Sequence, residues 1–151
     1  MWGGKPLVVL GGDATSALST TSTTDILLIA IPFRCRPIRV GFTVTTAPTD
    51  QAAIINFDSI TYLATGSQTR GDCDVGQITV PVNTYRNKCV YDETDYGDAV
   101  TSPTWKGSLS EGQYVAVQVY QSSTAGAGIP FIVVEVDNER PANNTNMIKS
   151  A

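Results

Sequence analysis

Four carboxylates crowd into Asp92-Glu93-Thr94-Asp95-Tyr96-Gly97-Asp98. Ca²⁺ takes about six to eight hard oxygen ligands, so such a run is where a Ca²⁺ loop would be sought, with Asp92, Asp95 and Asp98 as the candidates. Setting Gly97 on the EF-hand glycine places Thr94 and Tyr96 where ligands belong, and that motif fails. The run reads instead as a solvated acidic loop. Gly71-Asp72-Cys73-Asp74 adds ligands only if the two loops meet. No metal site and no cofactor is expected from this pattern.

A glycosidase needs two carboxyl groups facing one another across a cleft. Glu111 and Glu135 lie on or beside apparent strands, but nothing in the sequence sets their separation, and no catalytic residue is expected. The chain has no histidine, which removes the commonest general base and metal ligand and excludes Ser-His-Asp and Cys-His catalysis. Cys35, Cys73 and Cys89 form neither a C-x-x-C pair nor an even-numbered framework. They read as buried or incidental thiols, with a Cys73–Cys89 bridge open in an oxidising medium.

Contact chemistry is better represented. Arg34, Arg36 and Arg39 are the one basic grouping, and a planar guanidinium suits interface pairing with carboxylates. Arg34 and Arg36 share one side of an extended chain. Arg39 has odd spacing from them, so an ideal strand puts it opposite unless Pro37 bends the path. Trp2, Tyr62, Trp105, Tyr114 and Tyr120 are the aromatic candidates for contact, since such rings are enriched at interface centres. The expected interface set is Trp2, Arg34, Arg36, Arg39, Tyr114 and Tyr120.

The elements that position these residues read as strands. Ile26–Ile31 is an apolar run stopped by Pro32. Ile38, Val40, Phe42 and Val44 alternate with Arg39, Gly41, Thr43 and Thr45. Ala53–Phe57 and Ile60–Leu63 read as strands kinked at Asp58-Ser59, and Gly66–Gly76 as a polar loop. Ile78, Val80 and Val82 are expected inward, with short strands at Cys89–Tyr91 and Thr104–Gly107. Leu109-Ser110-Glu111-Gly112 is a turn into Gln113–Gln121, where Val115, Val117 and Val119 face the core and Tyr114, Ala116, Gln118 and Tyr120 face out. In Ile129–Val136, Phe131, Val133 and Glu135 face one way. No stretch shows helical periodicity. Short strands at intervals of about 10–15 residues, joined by Gly/Pro/Asn turns, predict an all-β, jelly-roll-like antiparallel β-sandwich.

Length and composition set the bounds. The 151 residues fit one domain. The expected division is an N-terminal extended arm over 1–25, with Ser/Thr-rich Thr15–Thr24 unable to pack a core, the sandwich over 26–137, and a flexible tail over 138–151. Charged residues make up 16%, against about a quarter in an average domain, so the surface is polar but weakly charged. The net charge of −4 and the lack of a basic face exclude nucleic acid as an expected partner. No apolar run reaches membrane-span length, and no signal peptide is visible. A soluble protein made in the cytoplasm is expected.

The order of features resembles the jelly-roll capsid-decoration (cement) and head-fibre-like proteins of tailed bacteriophages. The resemblance runs through Ile29-Ala30-Ile31-Pro32-Phe33, the alternating Pro37–Val44, and Ala53–Phe57. It continues through Leu109-Ser110-Glu111-Gly112-Gln113 feeding Tyr114–Tyr120, and through the loop Ser122–Gly128 before Ile129–Asp137. It implies a non-enzymatic structural virion protein on the capsid surface, a homotrimer bound to the major capsid protein. The alternative is a carbohydrate- or receptor-binding knob of a virion fibre.

Overall fold

A computed structural model of the chain describes residues 6–19, 25–94 and 108–136. Trp2, Asp95, Asp98, Trp105, the expected strand at 104–107 and the tail from 138 lie outside the described residues. The described chain is all-β, with no helix. Its strands are β1 (Leu7–Gly11), β2 (Ser16–Ala17), β3 (Asp25–Ala30), β4 (Cys35–Thr46), β5 (Ala53–Tyr62), β6 (Gln68–Arg70), β7 (Gly76–Val80), β8 (Cys89–Glu93), β9 (Tyr114–Gln121) and β10 (Ala127–Val136). All pairings are antiparallel.

Sheet A runs β1-β10-β4-β8, with β2 beside β10. Sheet B runs β3-β9-β5-β6, with β7 also on β5. Setting aside the short β2 and β6, the pairs β1–β10, β3–β9, β4–β8 and β5–β7 nest outermost to innermost. The pairs β4–β10 and β5–β9 join them into two sheets. A long hairpin rolled on itself in this way is a jelly roll, and the expected sandwich is observed.

The core lies where the inward residues of both sheets meet. Val40, Phe42, Val44, Ile132 and Val134 come from sheet A; Ile55, Phe57, Ile78, Val80, Val115, Val117 and Val119 come from sheet B. Truncating a fully buried phenylalanine such as Phe42 or Phe57 costs roughly 3–5 kcal/mol in sites of this kind.

The arm boundary near residue 25 is not observed. Leu7–Gly11 pairs with Phe131–Glu135 along its whole length. Ser16–Ala17 pairs with Ala127–Gly128, and Leu18 is fully buried in the core. The Leu18 N–H donates to Gly126 O at 2.8 Å and its carbonyl accepts from Ser123 N–H at 2.9 Å. One leucine among serines and threonines has no periodicity to betray it, yet one is enough to plug the end of the sandwich.

Three local readings also change. β5 runs unbroken through Asp58-Ser59, both of which are buried. Arg70 and its neighbours form a strand inside the expected polar loop. Val82 is 36% exposed, because β7 ends at Val80 before Pro81, where the missing N–H cannot continue the ladder.

Candidate functional site

The expected contact residues divide between the two outer faces of the sandwich. On β4 the register jumps so that Val133 stands opposite Arg39 while Val134 stands opposite Pro37. Ile38 is the extra residue of a β-bulge, and its carbonyl accepts instead from Thr94 N–H at 3.1 Å. The bulge reverses the alternation. Cys35 and Pro37 point inward before it, and Val40, Phe42 and Val44 after it. Arg36 and Arg39 therefore share the outer face of sheet A despite their odd spacing. Ile38 is half-buried rather than inward, which corrects the simple alternation. Arg34 is exposed in the β3–β4 connection.

Cross-strand rows build this outer face. Gly11, Phe131, Gly41 and Tyr91 form one row; Val9, Val133, Arg39 and Glu93 form the next; Leu7, Glu135 and Arg36 form the third. Gly41 is required in the first row. A Cβ there would meet the Phe131 ring at 2.2 Å, so the ring lies across bare backbone. Leu7 is 60%, Val9 58% and Tyr91 55% exposed. Charge lies in the Arg39–Glu93 pair, where Arg39 Nε donates to Glu93 Oε1 at 3.1 Å and the guanidinium sits 4.5 Å from the Tyr91 ring centroid, and at Arg36 and Glu135 in the third row. The result is an apolar platform flanked by the Arg39–Glu93 pair on one side and by Arg36 and Glu135 on the other.

The outer face of sheet B is built differently. Arg70 bridges from β6 to the start of β3. Its Nη1 and Nη2 donate to Asp25 at 3.0 and 2.7 Å, and its Nε donates to Asp58 at 2.9 Å. Asp58 also accepts Cys73 N–H at 2.8 Å, and Asn56 Oδ1 accepts from Gln77 Nε2 at 2.8 Å. The two carboxylates raise the Arg70 pKa further above its ordinary value, Asp25 contributing most. Tyr114 and Tyr120 face outward here as expected; Tyr120 is 66% exposed, and Tyr114 meets Tyr62 edge-to-face at 5.4 Å. The expected interface residues thus cannot form one surface: the strand arginines lie on sheet A and the tyrosines on sheet B.

Asp92 is exposed on edge strand β8 and accepts the neighbouring Glu93 N–H at 2.8 Å; its expected companions Asp95 and Asp98 lie outside the described residues. Asp58, Asp72 and Cys73 do bring ligand atoms within 4.8 Å of one another. Asp58 is already engaged by Arg70, and desolvation together with the nearby aspartates pushes the Cys73 thiol up, so this group does not offer an open set of donors. Asp74 accepts Ser59 N–H at 2.8 Å and the Ser59 hydroxyl, pinning the loop to β5. Glu135 projects from the outer face of sheet A while Glu111 sits in the turn entering β9 of sheet B. They do not share a cleft. None of Cys35, Cys73 and Cys89 forms a disulfide.

One feature was not anticipated from the sequence. Thr61, Tyr62, Ser108, Ser110, Glu111, Gly112 and Gln113 line an open depression of about 510 Å³ beside the β9 turn. The turn closes through Gln113 N–H to Ser110 O at 3.1 Å, with Gly112 at φ +89°, where a side chain would be strained. Only the turn chemistry was legible; that β5 delivers Tyr62 to the same place is tertiary information.

No family model and no curated protein matches this chain. Among solved structures it is similar to the C-terminal family 22 carbohydrate-binding module of Clostridium thermocellum Xyn10B, at 12% identity over 87% of each chain with a TM-score of 0.34. It is also similar to a xylan-binding domain from the same carbohydrate-binding family, at 13% identity over 86% of each chain with a TM-score of 0.33. The likeness is one of β-sandwich architecture.

Proposed function

We propose that this chain is a non-catalytic adhesion module that seats the outer face of sheet A on a protein shell, as a trimeric decoration protein of a phage-like capsid. The observation that carries the reading is the apolar platform of Leu7, Val9, Phe131, Val133 and Tyr91, with Arg39 paired to Glu93 beside it. Contiguous exposed apolar surface rimmed by polar groups marks protein contact sites. Pre-paired ions at the rim lower the desolvation cost of docking. Many weak copies on a symmetric lattice then add by multivalency. The capsid assignment itself rests on the resemblance in strand order.

Co-sedimentation with expanded, undecorated capsids tests this, alongside light scattering for the trimer. Saturable binding by a trimeric species that is lost on Val9→Lys and Val133→Lys supports the reading. Undiminished binding by those variants, or no binding to any shell, removes it.

A second reading is a carbohydrate-binding knob. It is favoured by the exposed Tyr62 and Tyr120 on the sheet B side, where stacking rings stand beside polar side chains.

A further inference from the structure

We propose that the depression between the end of β5 and the β9 turn is a subsite for one ring of a neutral saccharide, with Tyr62 as its stacking wall. This rests on the second reading above and is independent of the sheet A platform.

Three observations converge. First, Tyr62 is 49% exposed, and its ring is held perpendicular to Tyr114 at 5.4 Å. A ring already fixed by an edge-to-face partner loses little freedom when a ligand stacks on its open face. Second, the polar lining is pre-organised. Gln113 Oε1 accepts Ser110 N–H at 2.6 Å, and its Nε2 donates to Thr61 Oγ1 at 2.7 Å. Both ends of the amide are therefore fixed, and the Thr61 hydroxyl is left with its own proton to donate. Third, Ser108 Oγ is shielded from solvent and has no hydrogen-bond partner among the described residues. A buried hydroxyl in that state is uncommon, and rotation about its χ1 brings it to a ligand hydroxyl in the depression that its residue lines.

The lining selects the ligand class. The Glu111 carboxylate borders the depression, and no Lys or Arg among the described residues lines it, so phosphate- and carboxylate-bearing ligands are disfavoured. The hydroxyl, amide and carboxylate groups disfavour a purely apolar ligand. A sugar ring matches both halves of the site, with one C–H face for Tyr62 and hydroxyls for Ser108, Thr61 and Glu111. The volume of about 510 Å³ falls within the roughly 300–1,000 Å³ of ordinary ligand sites.

The test is calorimetric titration of the full chain with neutral pentose and hexose oligosaccharides, repeated on Tyr62→Ala, Tyr62→Phe, Ser108→Ala and Tyr120→Ala. Circular dichroism establishes that each variant is folded. The expected result is saccharide binding that falls at least tenfold in Tyr62→Ala and Ser108→Ala and persists in Tyr62→Phe and Tyr120→Ala. Binding that ignores Tyr62 but is lost in Tyr120→Ala overturns this subsite and leaves the knob reading standing. Absence of binding to every saccharide at millimolar concentration overturns both, and leaves capsid docking untouched.

Discussion

The two outer faces of the sandwich are made from strands of similar composition and end with opposite properties. On sheet B, polar side chains bond one another across the strands: Asp25, Arg70 and Asp58 form one net, Asn56 and Gln77 another. Asp58 is only 3% exposed although it sits on an outer face. On sheet A the outward positions of β1 and β10 include Leu7, Val9, Ile129, Phe131 and Val133, with Glu135 at one end and the Arg39–Glu93 pair alongside. On sheet B the polar groups satisfy each other, and the exposed apolar and aromatic groups Leu28, Tyr62 and Tyr120 stand apart from that net. A face of half-covered apolar groups still gains from covering. On the proposed reading, sheet B's surface serves internal stability and sheet A's serves adhesion.

The largest expected effect breaks the sheet B net. Arg70→Ala leaves Asp58 buried against a single backbone donor, and unfolding in urea should show a loss of about 3–5 kcal/mol. Replacing Arg70 by Met together with Asp58→Leu and Asp25→Asn should recover most of it. If Arg70→Ala is neutral, sheet B's surface is not the stabilising one.

Next in size is Gly41→Val, which drives a side chain into the space of the Phe131 ring. It should cost about 1–3 kcal/mol and also lower shell binding, because the ring must lift out of the platform. Thermal melts and co-sedimentation read the two effects separately.

Val9→Lys and Val133→Lys sharpen the contrast from the other side. Each should change stability by within about 0.5 kcal/mol while lowering shell affinity about tenfold, or ~1.4 kcal/mol. Tyr120→Lys on the opposite face should leave that affinity unchanged.

The smallest effect concerns neither face but the loops at one end. The hydroxyls of Ser123 and Thr124 and the Thr124 N–H all donate to Asp50. They hold its carboxyl well below the ordinary value of 3.8. A folded value depressed in this way contributes stability above the unfolded pKa, which is lost as pH falls below it. Between about pH 5 and about pH 2 the melting temperature of the native chain should therefore fall more steeply than that of Asp50→Asn.

Strand identity and facing were legible wherever alternation is regular. Val115, Val117 and Val119 against Tyr114, Gln118 and Tyr120 is the clearest case, and Phe131, Val133 and Glu135 share a face as expected. Legibility stopped at irregular points. The bulge at Ile38 inverts which side Arg39 takes, and its location depends on the partner strand β10. Leu18 carries no pattern. Asp58 and Arg70 belong to segments that read as a kink and a loop because their charges have no local partner. They pair over 12 residues of sequence, and Arg70 with Asp25 over 45.

By itself the sequence determined an all-β chain with a valine-rich interior and a weakly charged exterior, because a period-two pattern encodes burial one strand at a time. The tertiary structure alone decided which strands share a sheet, and that Leu7–Gly11 is paired with β10 rather than free. It also decided that arginines and tyrosines face opposite ways, and that Tyr62 meets the β9 turn. Each of these depends on pairing between residues far apart in the chain, where register and bulges act and local periodicity carries no information.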